Sequence, residues 1–224
     1  KGGTAVISNS GSAITATVTT SDHKVYRIMH VSNGLHRVEE LDHSKFPDCA
    51  NHSGNISLIP PASSTAKTGS SSGDSKIDDG SQITVLVAYT QAVESAVGGT
   101  SAVDSLIATA ISESNSGYTV SGVPTQLSLV HTVKVNYDES AGFDAALNAV
   151  TNTSDGAMDE VHALRDTHKA DLVVLLISNT QYCGLAWKPN TVSTSNATLG
   201  FSVTAYNCAT SYYSFAHEIG HNMG

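Results

Sequence analysis

Positive charge is scarce in this chain. Lysine and arginine number 11 in 224 residues, against 20 aspartates and glutamates, for a formal net charge of −9. Nucleic acid and anionic membrane surfaces reward Lys and Arg, so neither is expected as the main partner. Charge of either sign is thin at 14%, where ordinary domains carry about 25%. Serine, threonine, asparagine and glycine supply the polarity instead, which fits an extracytoplasmic protein. No apolar run approaches the ~20 residues of a membrane-spanning helix. Disorder throughout is nonetheless excluded, because several apolar runs are dense enough to build a core. Cysteine is limited to Cys49, Cys183 and Cys208. An odd count in a secreted chain suggests one pair and one thiol with a separate job. The chain begins Lys-Gly-Gly without methionine or a leader pattern, and it stops at Gly224 inside a helical pattern. A removed leader and further residues after Gly224 are therefore expected.

Three stretches follow one another. Residues 1–61 read as a small β-rich unit: Val25 to Val31 and Leu35 to Leu41 flank Ser32-Asn33-Gly34, and Asn-Gly between strand-like runs is a strong hairpin signal. The five histidines of this part show no metal-site spacing and read as exposed strand and loop residues. Residues 62–82 are rich in Ser, Thr, Gly and Asp. Such a stretch cannot bury enough apolar surface to offset its ordering entropy, and it reads as a flexible, cleavable linker.

Residues 83–224 read as an α/β unit. Ile83 to Tyr89 and Asp171 to Ser178 are nearly continuous apolar runs, as expected of strands covered on both faces. Residues 127–137 and 199–205 alternate, which predicts half-buried strands. Val103, Leu106, Ile107, Ala110 and Ile111 have helical spacing, with Ser101 and Asp104 as an expected cap. Phe143 to Val150 mark a short helix. Met158, Val161 and Leu164 mark another, with Asp155 as its expected N-cap. A last helix is expected from about Ser211. Alternating strands and helices predict a mixed, mainly parallel sheet with crossover helices.

The chemistry lies in Phe215-Ala216-His217-Glu218-Ile219-Gly220-His221-Asn222-Met223-Gly224. Four residues apart on a helix, His217 and His221 share one face and can share one ion. Imidazole nitrogen suits Zn²⁺, which accepts tetrahedral geometry without electronic penalty. Glu218 adjoins the first ligand. Zinc brings the pKa of bound water towards ~7, and Glu218 can then take its proton and pass it to the leaving amine as a peptide bond is cut. A chance His-Glu-x-x-His in a chain of this length has a probability of about one per cent. Gly224 adds to the match, since the helix must break there if the chain is to bring a third ligand back.

His217 to Gly224 (HEIGHNMG) resembles the first eight residues of the metzincin signature H-E-x-x-H-x-x-G-x-x-H. Together with residues 200–216, the opening ITVLVAYT and the CGLAW segment, it resembles the bacterial secreted peptidyl-Asp metalloendopeptidases, reprolysin-like zinc proteases. The resemblance covers about residues 83–224, and more weakly the hairpin of 25–47, which resembles their propeptides. It implies an α/β (α+β) metzincin-like catalytic domain with a zinc helix, preceded by a β-rich inhibitory prodomain. It also implies His217 and His221 as zinc ligands, Glu218 as general base, protein or peptide substrates, and a third histidine in a segment beyond Gly224.

Cys183 and Cys208 flank the strand before the zinc helix, and a disulfide between them is expected. Cys49, in Phe46-Pro47-Asp48-Cys49-Ala50, is left over just before the linker. A thiolate is a strong zinc ligand, and in some metzincins a propeptide cysteine blocks the metal. Cys49 is the expected inhibitory ligand, with Asp48 as an alternative. Cutting near Asp74, Asp78 or Asp79 is the expected release. Two rivals stand beside this reading: a zinc protease with a downstream Glu as third ligand, against which Gly224 speaks, and a secreted, inactive protease-derived binding module, against which Glu218 speaks.

Overall fold

The computed structural model describes residues 2–50, 82–191 and 193–224. The expected linker lies outside the described residues except for Gln82. Residues 2–50 form an antiparallel meander of four strands in sequence order: β1 (Thr4–Ser10), β2 (Ala13–Thr19), β3 (Val25–Ser32) and β4 (Leu35–Glu40). The predicted hairpin is present. Asn33 (φ 47°) and Gly34 (φ 75°) occupy the two-residue turn between Ser32 and Leu35, as a turn that follows strand twist requires.

One face of this sheet carries Ala13, Thr15, Thr17, Arg27 and Met29, all buried. It rests on α2 (Thr100–Val120), where the Ser105 hydroxyl donates to Ser8 O (2.9 Å) and the Thr109 hydroxyl to Thr15 O (3.2 Å). The opposite face exposes Ile7 and Val38.

The second sheet contains β5 (Gln82–Thr90), β6 (Gln126–Val135), β7 (Leu172–Ile177), β8 (Gly184–Ala186) and β9 (Phe201–Ala205), in the order β6-β5-β7-β9-β8. The first four in that order run parallel. β8 pairs antiparallel with β9 and forms one edge, with Gly184 opposite Thr204. The remaining helices are α1 (Gln91–Val97), α3 (Gly142–Thr151), α4 (Glu160–His168) and α5 (Ser214–Met223). Two cores result. Leu86, Ala88, Val173, Leu175 and Val203 pack with residues of α3 and α4, whereas Val85, Val87, Val174 and Leu176 pack with residues of α2 and α5. Successive strand residues point to opposite faces, and both faces are covered, which is why β5 and β7 read as unbroken apolar runs.

Several local expectations are corrected. α1 went unanticipated; the Thr90 hydroxyl caps it by accepting from Val93 N (3.2 Å), and Gly98 ends it in the left-handed region. α2 consequently starts at Thr100 behind Gly99 with no side-chain cap, so Ser101 and Asp104 do not serve as one. α4 begins at Glu160 after Asp159, while Asp155 accepts from Ala157 N (2.9 Å) in the preceding turn. β9 is buried throughout rather than half exposed, because β8 covers its edge and α5 its Ser202 and Thr204 face. α5 starts at Ser214 and not Ser211, since Ser211 (φ 66°) and Tyr213 (φ 62°) are left-handed and cannot belong to a helix.

Cys183 and Cys208 are disulfide-bonded, joining the residue before β8 to the turn after β9, and Cys49 is the free thiol among the described residues. Without reductant, a thiol reagent is expected to find Cys49 alone. Cys208→Ser is expected to lower unfolding stability by about 3 kcal/mol in urea titration, from loop-closure entropy.

Candidate metal centre

α5 is anchored by Phe215 and Ile219, both fully buried in the core shared with α2. That anchoring settles the helix's rotation. Ser214 and Glu218 turn inward, His217 faces out and His221 is half-buried. Asn222 lies four residues beyond Glu218, and its amide donates towards Trp187 O (2.8 Å), Phe201 O (3.0 Å) and Leu199 O (3.1 Å). This one side chain ties the end of α5 to the ends of β8 and β9.

The two imidazoles stand on one helix face with ring centroids 4.6 Å apart and planes nearly perpendicular. Burial, the neighbouring His217 and Lys188 hold the His221 pKa below its usual value. Glu218 is 1% exposed. Burial raises its carboxyl to about 7, opposed only by the nearby Cys49 thiol. Among the described residues, neither carboxylate oxygen meets a donor in good hydrogen-bond geometry.

Cys49 completes the cluster from the N-terminal part of the chain. Its Sγ, a His217 nitrogen and a Glu218 oxygen all lie within 4.8 Å of one another. His221 stands outside this tight group, beside His217. Asp48 contributes its backbone rather than its carboxylate, with Cys183 N donating to Asp48 O (3.4 Å). Burial first, and then the negative charge of Glu218, push the Cys49 thiol up to about 12. Thiol, imidazole and carboxylate form a donor set suited to a borderline-soft ion such as Zn²⁺. The orphaned Glu218 oxygens fit a site built to receive a further polar group, since buried polar atoms normally have partners.

The segment carrying Cys49 lies across the β8 edge. Ala50 N donates to Gly184 O (3.1 Å). Phe46 stacks on Tyr212 with centroids 4.5 Å apart, and His43 packs edge-on against both rings. Further back, Arg27 pairs with Glu39 (3.0 Å) and donates to Asn207 O, and the hydroxyls of Thr17 and Ser211 lie 2.6 Å apart. The N-terminal sheet thus grips the turn that leads into α5. Glu113 of α2 supports that turn from below, accepting from Ser211 N (2.8 Å).

The roles of Glu113, Asn222 and Gly184 carry no local sequence signal. Asn222 lies in HEIGHNMG and Gly184 in CGLAW, but only the folded chain shows what they touch. Among the basic residues of this part, Lys134 pairs with Glu94 (3.1 Å) and Arg165 stacks on Phe201 (4.8 Å) while donating to Ala170 O (3.1 Å). Lys188 follows β8 by two residues, and its charge helps lower the His221 pKa.

A mixed sheet with an antiparallel edge strand, lying beside a helix that bears His-Glu-x-x-His, defines an α/β metallopeptidase. The chain belongs to metallopeptidase family M12: residues 79–224 match the Reprolysin_5 model of that family. It is 38% identical over 222 residues to the peptidyl-Asp metalloendopeptidase of Stenotrophomonas maltophilia (strain R551-3), covering 98% of this chain and 50% of that protein. The protein of the same name from Xanthomonas campestris pv. campestris is 33% identical over 217 residues, covering 97% of this chain and 50% of its own length. The chain spans about half the length of these curated relatives. In fold it is similar to the crystal structure of metalloproteinase-II from Bacteroides fragilis, with a TM-score of 0.51 and 13% identity over 100% of this chain and 68% of that one. Among the described residues no helix is long and apolar enough to cross a membrane.

Glu113 carries a pH prediction. Burial raises its pKa in the folded protein above the ordinary 4.5. The folded state then holds the proton more tightly than the unfolded state, so stability falls as pH rises above the unfolded value. Glu113→Gln keeps an acceptor for Ser211 N and removes the charge. Its stability relative to the parent is expected to rise in thermal unfolding as pH increases above the ordinary 4.5.

Proposed function

We propose that this chain is the precursor part of a secreted zinc endopeptidase, held silent by its own N-terminal segment. The observation that carries the reading is the convergence of Cys49, His217 and Glu218 within 4.8 Å, beneath a stretch of chain hydrogen-bonded to the β8 edge. Residues 1–61 act as the inhibitory propeptide, 62–82 as the cleavable linker and 83–224 as the catalytic domain. His217 and His221 hold the zinc, completed by a third histidine in a segment following Gly224.

When bound, zinc supplies a Lewis acid that polarises the scissile carbonyl and acidifies water. The remaining work belongs to the protein. Cys183 N and Gly184 O, at the start of β8, present a backbone donor and acceptor to an extended peptide, as they do to residues 48–50. Glu218 takes a proton from the attacking water and delivers it to the leaving amine. A carboxyl near pKa 7 is matched to moving a proton in both directions at neutral pH. Cys49 would take the ligand position that the catalytic water needs, and cleavage of the linker near Asp74, Asp78 or Asp79 releases it. The relatives' shared name puts peptides containing aspartate first among substrates to test.

In the full-length protein, Glu218→Gln is expected to reduce kcat by about 10²–10⁴-fold with zinc content retained. His217→Ala is expected to lose zinc by elemental analysis. Cys49→Ala is expected to make the uncleaved precursor active. A Glu218→Gln enzyme with full activity overturns the assignment of the base, and a Cys49→Ala precursor as silent as the parent overturns the thiol block.

A further inference from the structure

We infer that Gly184 is a positioning residue for Glu218. The side chain it lacks leaves the seat in which the carboxylate lies, at the point on the β8 edge where a peptide chain is held. The inference deepens the reading of Glu218 as the proton-transferring group and rests on it.

A methyl carbon built on Gly184 falls 2.2 Å from Glu218 Oε1, 2.4 Å from Cδ and 2.5 Å from Cγ. Non-bonded heavy atoms settle at about 3.5–4.0 Å, so the whole head of the glutamate lies where a β-carbon would be. Flexibility gives little relief. Glu218 is buried with Cys49 and His217 against it, and α5 is locked by Phe215 and Ile219 in the core and by Asn222 on the strand ends. β8 cannot readily retreat either. It is paired with β9 from Gly184 to Ala186, and the residue before it is disulfide-bonded to Cys208. Gly184 is not among the glycines with positive φ. An alanine there meets no backbone penalty, and glycine is required for space alone.

The same residue faces the peptide. Its carbonyl accepts from Ala50 N (3.1 Å), and the adjoining Cys183 N donates to Asp48 O (3.4 Å). The carboxylate rests on the Cα of Gly184 while the crossing chain hangs on its carbonyl. One residue therefore sets the separation between the proton-transferring group and the bond presented to it. Any side chain at position 184 shifts the carboxylate or lifts the strand.

The test is a cycle of Gly184→Ala, Glu218→Asp and the double variant, because Asp withdraws the carboxylate by one methylene and makes room for the added methyl. In the processed full-length enzyme, Gly184→Ala is expected to lower kcat by about 100-fold, the cost of a misplacement near 1 Å, with KM little changed. The double variant is expected to be no slower than Glu218→Asp alone. In the uncleaved chain, Cys49 is expected to react with a thiol reagent at least about tenfold faster in Gly184→Ala, as its surroundings are pushed open, and at nearly the parent rate in the double variant. Parent kcat in Gly184→Ala, losses that multiply in the double variant, or an unchanged Cys49 rate overturns the inference. If Gly184→Ala does not fold, a folded double variant upholds the seat and a misfolded one overturns it. A fully active Glu218→Gln enzyme overturns the base assignment alone, because the Cys49 rate reads the seat without reference to catalysis.

Discussion

A carboxylate buried on a bare strand edge is the constraint around which this structure is arranged. Holding Glu218 with its pKa near 7 instead of the ordinary 4.5 disfavours its charged form by about 3 kcal/mol. Such a group persists only if its surroundings cannot relax around it. α5 cannot roll, because Phe215 and Ile219 are sunk in the core. It cannot slide, because the Asn222 amide holds the strand ends. β8, only three residues long, is kept in place by β9 and by the Cys183–Cys208 bond.

The N-terminal sheet meets this arrangement in a different way. Its contacts with α2 include serine and threonine hydroxyls donating to backbone carbonyls, and Thr17 pairs closely with Ser211 of the turn before α5. Arg27 reaches the turn before α5, and Phe46 stacks on Tyr212. Ala13 and Met29 join the apolar core shared with α2, while these polar, specific contacts fix register. In the proposed function this segment must first fit and later leave, which such polar contacts allow. The gripped turn holds two left-handed residues that are not glycine, Ser211 and Tyr213. Local strain of that sort persists where neighbours over-determine the backbone, and here Thr17, Arg27 and Glu113 are the neighbours.

Much of the fold was legible because its signals are local. Asn33-Gly34 marks a turn through its φ angles. β5 and β7 announce two-sided burial by unbroken apolar runs, and α2 and α3 show helical spacing. The failures are instructive for the same reason. The cap of α2 was misplaced because α1, ending just before it, had already shaped the entry. The start of α5 was placed too early because nothing in the residue types of Ser211 and Tyr213 announces a left-handed backbone. β9 looked half exposed because serine and threonine alternate with apolar residues, but that polar face lies under α5.

The sequence by itself determined the chemistry that helical periodicity can express: His217 and His221 on one face, Glu218 beside them, and an odd cysteine left over once a pair was assigned. These follow from spacing within two turns of one helix, or from counting. Only the tertiary structure decided that Cys49 rather than Asp48 meets His217 and Glu218, that Asn222 clasps three carbonyls, and that Gly184 is bare because a carboxylate occupies its side-chain volume. Each of those contacts joins residues far apart in the chain. Their distances depend on strand order and register, which many residues set together and no short motif records.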